Sequence, residues 1–367
     1  MDKHTVQELI TLCKQQGIKG YSGKKKVDLI ALLNPVSEPI VVDEEKKDDR
    51  IRVVSLFAGC GGLDYGFHAN PAFTHVLVND FDKDACATYE ANYGIKPVCG
   101  DVKKLVDIPD CDLVIGGFPC QGFSMANPFR APDDQRNELY LEILRILRLK
   151  QPKYFLLENV KGLLNMGGYA TAADKKAGLG VVFKNIMEDL KECGYHVEHQ
   201  LFSVRFYNVP QKRERVIICG IRSDRSDRSD RNVLATEFTL KWPLMAAQPQ
   251  PLMTLRDAIG DLPLEYDETI QHIGTKHKCA VTGYLGNREL IWDDASPTIT
   301  GRGGGSGGPV IHNHPSLQRR LTVRECARIQ TFPDTFRFSG SISSMYKQIG
   351  NAVPCNFSVY LAQMFTS

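Results

Sequence analysis

Two short stretches of this chain combine residue types that can carry out covalent chemistry. In GGFPCQGFS, residues 116–124, Cys120 follows an apolar run that ends in two glycines and a phenylalanine-proline pair. A thiolate is a strong soft nucleophile, and a loop that leaves a strand can expose it to a substrate. The eleven cysteines are scattered without a C-x-x-C pair, so a buried thiol without a chemical role is the alternative.

Glu158 ends a second apolar run, in LLENV, and two arginines follow in QKRER, residues 211–215. A carboxyl group at the end of a strand suits proton donation, although it could equally be an ordinary turn residue. Arg213 and Arg215 are two residues apart, so on a strand they face the same way. They could form a fork for a base carbonyl or a phosphate, or else an exposed ion-paired surface.

A third set of residues favours a nucleotide-like cofactor. The stretch SLFAGCGGLDYGF, residues 55–67, runs from a strand into three closely spaced glycines, which let a ligand approach the backbone. Asp80 and Asp101 end the next two apolar runs, and a carboxylate there can accept hydrogen bonds from a ribose. Phe57 and Phe81 could pack on an adenine or belong to the core.

The elements that must position these residues are short apolar runs that alternate with helical patterns, which predicts an α/β fold with a doubly wound parallel sheet. A later pair of closely linked runs, within residues 196–221, predicts an antiparallel pair at the edge and therefore a mixed, mostly parallel sheet. The predicted strands are RVVSLFAG, THVLVND, KPVCGDV, CDLVIGGFP and KYFLLENV, and NELYLEILRILRLK is a predicted helix.

The order of these motifs resembles that of the cytosine-5 DNA methyltransferases. LFAGCGG, GGFPCQGFS, LLENV and QKRER follow one another as in that family, and RRLTVRECARIQTFPD and YKQIGNAVP resemble its last two motifs. The resemblance spans residues 51–222 and 318–367, which it implies are two parts of one catalytic domain of the S-adenosylmethionine-dependent methyltransferase type. The unpatterned residues 223–317 would then be a smaller inserted target-recognition region.

The resemblance also implies a role for each matching residue. Cys120 would attack carbon 6 of cytosine, Glu158 would assist at ring nitrogen 3, and Arg215, with Arg213 beside it, would contact the base carbonyl. The implied cofactor contacts are Phe57, Ala58, Gly59, Gly61, Gly62, Asp80, Phe81, Asp101, Val102, Pro119, Asn351, Ala352 and Val353. The expected DNA contacts are Gln121, Ser124, Thr298 and Arg302, of which Arg302 is expected from its residue type alone.

Two positions depart from the usual family pattern. Ser55 stands where many relatives have aspartate, and Asp80 stands where glutamate is commoner. The shorter Asp80 side chain puts the ribose contact in doubt.

Residues 1–36 form a separate pattern of two short helices around a basic turn, followed by a charged linker at 37–50. Thr5 and Glu8 have the spacing of a capping box at the start of the first helix. The pattern resembles the SAP family of DNA-binding modules, which implies that Lys19, Lys24, Lys25 and Lys26 face phosphates. The alternative is a solvated basic loop on a helical hairpin.

The function that the resemblance implies is sequence-specific DNA (cytosine-5-)-methyltransferase activity on a flipped-out base, in a restriction-modification or viral context. S-adenosylmethionine would be the methyl donor and S-adenosylhomocysteine the product. A tRNA cytosine methyltransferase and a DNA-binding regulator without turnover are the alternatives. No metal is expected, because neither His196 with His199 nor the HNH at 312–314 has a convincing third ligand.

Composition adds little about partners. The net charge of the 367 residues is only +2, so any DNA-binding surface must be local. No apolar run approaches the roughly 20 residues of a membrane span, and the start lacks the apolar segment of a signal peptide. We expect a soluble, intracellular monomer, in a bacterial cytoplasm or a virus-infected cell. Its partner would be double-stranded DNA, and a cognate restriction endonuclease could act separately.

Overall fold

The computed structural model describes residues 4–33, 48–119, 138–223, 241–242, 252–275, 290–301, 312–316 and 319–366. The side chain of Glu138 is outside this description. The chain forms two compact units, residues 1–49 and residues 50–367.

The first unit is a helical hairpin. Helix α1 spans Val6–Gln15, and helix α2 spans Lys26–Leu33. The predicted capping box is confirmed: the Thr5 side chain accepts a hydrogen bond from the Glu8 backbone, and the Glu8 carboxylate accepts one from the Thr5 N–H. Four apolar side chains form a small core between the helices: Leu9, Cys13, Leu29 and Leu33.

The second unit is built on strands that follow the predicted apolar runs. The strands are β1 (Ile51–Leu56), β2 (Phe73–Asp80), β3 (Val98–Cys99), β4 (Leu113–Gly116), β5 (Tyr154–Val160), β6 (Tyr195–Ser203), β7 (Gln211–Lys212), β8 (Glu214–Arg222) and β9 (Ser296–Pro297). Within the described residues, seven of them form one sheet in the order β3-β2-β1-β4-β5-β8-β6, and β7 pairs with β9.

The strand directions confirm a mixed, mostly parallel sheet. Strands β3, β2, β1, β4 and β5 are parallel, whereas β8 runs antiparallel to both β5 and β6. The strand order reverses between β1 and β4. In open α/β sheets, ligands bind at such a switch point, beyond the carboxyl ends of the strands.

Helices cover the sheet and complete the fold. In the second unit they are α3 (Tyr65–Ala69), α4 (Lys83–Tyr93), α5 (Glu138–Lys150), α6 (Ala172–Ala177), α7 (Val181–Glu192), α8 (Leu255–Ile259), α9 (Val323–Ile329), α10 (Ile342–Asn351) and α11 (Cys355–Gln363). None of the helices in the described part of the chain has both the length and the apolar character needed to span a bilayer.

Both faces of the sheet are buried, which explains the continuous apolar runs of its central strands. Leu157 and Ile218 face one core cluster, which α5 and α7 complete. Leu156 and Ile217 face the opposite cluster, which contains Phe67 and residues of α11. Alternate residues of each strand therefore anchor opposite layers, and this fixes the register of the sheet.

A third core cluster lies around α8, α9 and α10. Leu255 and Ile259 pack in the same cluster as Val323 and Ile349, and Ile299 joins them. The described parts of residues 252–301 therefore share a core with the returning segment of the chain. This packing positions the stretch 298–301 beside the end of α10.

Candidate active site

The end of β1 begins the site, and the chain there turns sharply. Phe57 has a φ of 54°, in the left-handed region that residues other than glycine rarely adopt. The Ala58 N–H donates to the carbonyl of Asn79, which ties the turn to the end of β2. Unfavourable backbone geometry at a strand end commonly marks a functional site.

The glycines after β1 serve two different purposes. A Cβ at Gly59 would meet no atom within 4 Å, so its backbone borders open space. A Cβ at Gly61 would lie 2.4 Å from the Tyr93 ring, and one at Gly62 would lie 2.4 Å from the carbonyl oxygen of Val353. Gly61 and Gly62 are therefore required for packing, whereas Gly59 leaves room for a ligand.

Asp80 and Phe81 lie beside the glycine turn. Oδ2 of Asp80 accepts a hydrogen bond of 2.7 Å from the Gly59 N–H, and Oδ1 accepts one of 2.8 Å from the Asp82 N–H. Burial raises the pKa of the Asp80 carboxyl, and these hydrogen bonds oppose the rise. The Phe81 side chain is 81% exposed, so an aromatic face is available next to this carboxylate.

The end of β3 brings Asp101 to the same edge of the sheet. The Asn79 amide donates to the carbonyls of Val98 and Gly100, at 2.7 and 3.0 Å, and fixes this short strand. The Asp101 carboxylate accepts a hydrogen bond from the Lys103 N–H and begins a turn of 3₁₀ helix that buries Val102. Sequence reasoning did not single out Asn79.

Glu158 and Arg215 form an ion pair between β5 and β8. Arg215 Nε lies 2.6 Å from Glu158 Oε1, and both side chains are nearly buried, with exposed fractions of 10% and 12%. A further guanidinium nitrogen, Nη1, donates to the Glu214 carbonyl. The two residues that sequence analysis assigned to the base are therefore held against each other at the carboxyl edge of β5.

The stretch that leads to Cys120 is anchored beside this pair. The Asn159 side chain donates a hydrogen bond of 2.9 Å to the carbonyl of Phe118, which is itself buried. A Cβ at Gly117 would lie 3.0 Å from Glu158 Oε2, so a glycine keeps this approach open. Asn159 is a positioning residue that the sequence analysis missed, although it directly follows Glu158 in LLENV.

Arg213 has different contacts from those predicted. Its guanidinium donates to the carbonyls of Ile299, Gly350 and Ala352, and the side chain is 1% exposed. Arg213 lies between β7 and β8, whereas Arg215 lies on β8, and both are buried. The resemblance implied a place for Arg213 beside the base, and in the structure both of its terminal nitrogens, Nη1 and Nη2, donate within the protein.

Comparison with known proteins decides the family. The model for the C-5 cytosine-specific DNA methylases matches residues 51–366. The chain is 36% identical to the Type II methyltransferase M.BsuRI of Bacillus subtilis, over 86% of this chain and 79% of that protein. It is also 36% identical to M.NgoFVII of Neisseria gonorrhoeae, over 85% of each. The chain belongs to the C-5 cytosine-specific DNA methylase family.

Solved structures support the fold of this methylase. A DNA modification methyltransferase encoded within an Escherichia coli prophage superimposes with a TM-score of 0.64 and 22% identity, over 86% of this chain and 98% of that one. The S. pombe Dnmt2 methyltransferase gives a TM-score of 0.59 and 22% identity, over 85% of this chain and 97% of that one. At these identities the likeness concerns the fold.

The methylase family implies S-adenosylmethionine as the methyl donor, and the described residues fit it. The open space at Gly59, the Asp80 carboxylate and the exposed Phe81 ring lie at the carboxyl ends of the neighbouring strands β1 and β2. Ala352 and Val353 pack against Gly62 of the same glycine turn. The described residues therefore offer a carboxylate, an exposed aromatic ring and open backbone at one edge of the sheet, which suits a nucleoside-containing donor.

Not all of the predicted site residues can be placed. Cys120, Gln121, Ser124 and Arg302 lie outside the described residues. Thr298 is half-buried, and its hydroxyl donates a hydrogen bond of 3.1 Å to the carbonyl of Lys212. The four lysines predicted to meet phosphates belong to the first unit: Lys19, Lys24 and Lys25 are exposed, and Lys26 is half-buried.

A buried polar cluster under the glycine turn was not foreseen. Within the described residues, Asp64, His68 and His75 are the one group whose types and spacing could hold a metal ion. Tyr89 links two of them, because its hydroxyl lies 2.7 Å from His68 Nε2 and donates to Asp64 Oδ1 at 3.0 Å. His75 Nε2 lies 3.2 Å from the same oxygen of Asp64. These contacts describe a hydrogen-bonded network in the core.

The cysteines outside this candidate site have the character that their number predicted. All nine of those in the described residues are free thiols, and eight are buried. Burial raises the pKa of Cys60, between the glycines, to about 12, so this thiol stays protonated and unreactive.

Proposed function

We propose that this methylase transfers a methyl group to carbon 5 of a cytosine within a specific sequence of duplex DNA, with Cys120 as the nucleophile. The observation that carries the proposal is the Glu158–Arg215 ion pair beside the anchored stretch 117–119. This stretch ends one residue before Cys120. The acid and the arginine thus lie beside the described stretch that immediately precedes Cys120, which supports a site that combines all three.

The reaction needs a thiol because carbon 5 of cytosine is a poor nucleophile. Addition of the Cys120 thiolate to carbon 6 breaks the 5,6 double bond and moves electron density to carbon 5, which then attacks the methyl group. S-adenosylmethionine, when bound, supplies that methyl group as an electrophile on a sulfonium. Loss of the carbon 5 proton and departure of Cys120 restore the ring.

Glu158 and Arg215 act on the opposite side of the base. Glu158 hydrogen-bonds or protonates ring nitrogen 3, which draws electron density away from carbon 6 as the thiolate adds. Arg215 contacts the base carbonyl, and its ion pair with Glu158 holds the carboxylate in place. Because both side chains are nearly buried, their charges are poorly screened by water, which strengthens their effect on the ring.

The cofactor contacts form a second group of proposed site residues. Asp80 accepts hydrogen bonds from the ribose hydroxyls, and the adenine packs on Phe81. The Gly59 backbone lies close to the amino-acid part of the donor. Phe57, Ala58, Gly61, Gly62, Asp101, Val102, Pro119, Asn351, Ala352 and Val353 complete the proposed pocket.

The substrate is duplex DNA, in which the target base is inaccessible. The base must be flipped out at a cost of a few kcal/mol, and protein groups must replace its stacking and pairing partners. Gln121, Ser124, Thr298 and Arg302 are the proposed DNA contacts. Residues 223–317 form the proposed target-recognition region, inserted between residues 51–222 and 318–367 of the catalytic domain.

The first unit is proposed to add sequence-independent affinity for DNA. It is a compact body of its own, and its basic turn carries the exposed Lys19, Lys24 and Lys25. Lysines that neutralise phosphates release counterions, so their contribution falls with salt concentration. Residues 1–36 would then be a SAP-like DNA-binding module, and residues 37–50 would be the linker that follows it.

The biological setting follows from the relatives, which are named Type II methyltransferases. We propose that the enzyme acts inside the cell as a monomer, in a restriction-modification or viral context. A cognate endonuclease would act as a separate protein. No metal takes part in the proposed reaction.

The test is the transfer of labelled methyl groups from S-adenosylmethionine to duplex DNA and to tRNA, with Cys120→Ala as the control. Transfer to DNA that disappears in the variant supports the proposal. Transfer to tRNA alone would show that tRNA, and not DNA, is the substrate. Tight DNA binding without any methyl transfer would indicate a regulator. Bisulfite sequencing of the methylated DNA then identifies the target sequence.

A further inference from the structure

Arg213 joins two separate segments of the chain. Nη1 donates to the Ile299 carbonyl at 2.8 Å, and both Nη1 and Nη2 donate to the Gly350 carbonyl, at 3.1 and 3.2 Å. Nη2 also donates to the Ala352 carbonyl at 2.9 Å. One planar, buried cation therefore holds the stretch 298–301 and the end of α10 together.

Gln211 makes a parallel connection between the same segments. Its Oε1 accepts the Ile299 N–H at 2.9 Å, and its Nε2 donates to Gln330 Oε1 at 2.9 Å. Gln330 in turn donates to the carbonyl of Ile349 at 2.7 Å. Both backbone polar groups of Ile299 are thus bound by side chains from the QKR stretch.

The two segments also touch directly through their backbones. A Cβ at Gly350 would lie 2.0 Å from the carbonyl carbon of Thr300, and a Cβ at Gly301 would lie 2.4 Å from Asn351 Oδ1. Only glycines allow an approach this close. The segments therefore form one packed junction, in which Arg213 supplies the cross-links from the side.

The junction connects the two binding sites of the proposed function. On one side, Asn351, Ala352 and Val353 belong to the proposed cofactor pocket, and Val353 touches Gly62 of the glycine turn. On the other side, Thr298 is a proposed DNA contact, and the stretch 298–301 runs into the glycine-rich stretch of the target-recognition region.

We propose that Arg213 is a positioning residue that couples cofactor binding to DNA binding, an inference that rests on the proposed function. A ligand that orders the 350–353 turn also orders the 298–301 stretch, because the guanidinium holds both. The second ligand then loses less conformational entropy when it binds. Such coupling between sites commonly amounts to roughly 5- to 150-fold in affinity, and it is reciprocal.

An arginine suits this role better than a lysine. Its rigid fork of donors reaches carbonyls in three directions, whereas a lysine presents its donors from a single nitrogen. Arg213→Lys therefore keeps the charge but cannot hold both segments with the same geometry. Arg213→Met removes the charge and keeps much of the side-chain volume.

The experiment measures the affinity for a duplex carrying the target sequence, with and without saturating S-adenosylhomocysteine. The variants are Arg213→Met and Arg213→Lys, and the matched control is Arg324→Met. Arg324 is also fully buried and donates to backbone carbonyls, those of Ile270, Pro333 and Phe336. Its replacement should lower stability without touching the junction.

In the wild-type protein we expect S-adenosylhomocysteine to strengthen duplex binding by about tenfold. The ratio of the duplex affinity with S-adenosylhomocysteine to the affinity without it should fall below about twofold in both Arg213 variants. It should stay at the wild-type value in Arg324→Met. A merely structural role would weaken both affinities and leave their ratio unchanged. If Arg213→Met does not fold, the affinity ratio of Arg213→Lys tests the inference. If neither variant folds, the ratio is measured for Gln211→Leu, which removes the acceptor of the Ile299 N–H.

The inference would be overturned if S-adenosylhomocysteine did not strengthen duplex binding by the wild type. It would also be overturned if the strengthening in the folded variant equalled that of the wild type. Methyl transfer by the wild-type enzyme is measured on the same duplex. Its absence contradicts the proposed function itself, whereas transfer with an unchanged ratio in the variants contradicts the role of Arg213 alone.

Discussion

Arg215 Nε and Glu158 Oε1 lie 2.6 Å apart, across the antiparallel pair of β8 and β5. The contact places an acid and a cation next to the stretch that leads to Cys120. Replacing Glu158 should therefore impair the chemical step rather than the binding of ligands.

For Glu158→Gln we expect kcat for methyl transfer to fall by about 10²–10⁴, the usual contribution of a positioned acid or base. The affinity for S-adenosylhomocysteine should stay within about twofold of the wild type, because the proposed role of Glu158 is to act on the base and not on the cofactor. Single-turnover methylation and calorimetric titration measure the two quantities.

The control is Asp112→Asn, which removes the carboxylate partner of Arg52 near the start of β1, at the opposite edge of the sheet. Its kcat should equal that of the wild type. A kcat for Glu158→Gln close to the control value would contradict the assigned role of Glu158.

Phe81 should contribute to cofactor affinity through its exposed ring. Removing a stacking interaction with a base costs about 1–3 kcal/mol, so Phe81→Ala should weaken the binding of S-adenosylhomocysteine by about 5- to 150-fold. Isothermal titration calorimetry measures this effect. Leu149→Ala removes another exposed apolar side chain, near the end of α5, and should not change the affinity; an equal affinity in both variants would exclude Phe81 from the pocket.

Acid should weaken the fold through His68. Burial lowers the pKa of His68 to about 4 from its ordinary 6.5, and His75 acts in the same direction while Asp64 opposes it. The folded state therefore resists a proton that the unfolded chain accepts. Stability from this group is complete above pH 6.5 and declines as the pH falls towards 4.

The decrease in stability attributable to His68 should be about 2 kcal/mol at pH 5 relative to pH 7.5. Urea titrations of the wild type and of His68→Gln at both pH values measure it. The variant should lose correspondingly less stability on acidification, provided that the two titrations unfold in the same single step. Equal decreases in the two proteins would mean that His68 is not the group that titrates.

The first unit should affect the salt dependence of DNA binding but not its specificity. Lys24→Gln with Lys25→Gln should reduce the slope of log K against log salt by about 0.9 for each phosphate that the variant no longer neutralises. Deletion of residues 1–36 should weaken binding further and leave the bisulfite pattern unchanged.

Lys175→Gln with Lys176→Gln is the matched control, because these two lysines are also adjacent and exposed. The control should keep the wild-type slope. An altered methylation sequence after the deletion would show that the first unit takes part in target recognition.

Much of the fold could be predicted because local patterns and burial agree. The apolar runs that became β1, β4 and β5 supply residues to the core on both faces of the sheet, so their sequences are almost continuously apolar. The same reasoning placed Glu158 at a carboxyl edge. The Thr5 capping box was visible because it depends on neighbours three residues apart.

The roles of Arg213, Asn159 and Asn79 could not be predicted in this way. Each side chain donates to backbone carbonyls that only the tertiary fold brings near. Asn159, for example, donates to the carbonyl of Phe118, and Arg213 donates to that of Gly350. The spacing of Arg213 and Arg215 predicted that they face the same way on a strand. That spacing is compatible with contacts to a base and equally with contacts to a cluster of backbone carbonyls. The Asp64 cluster was missed for the same reason, since His75 lies on a separate strand.

The central claim is that Cys120 forms a covalent bond to carbon 6 of the target cytosine, and a duplex with 5-fluorocytosine at that position tests it most directly. Fluorine replaces the proton that must leave carbon 5, so the methylated adduct cannot break down. With S-adenosylmethionine present, we predict a protein–DNA complex that survives denaturation and carries the DNA on Cys120, and none with Cys120→Ala. An active enzyme that yields no such complex would contradict the account.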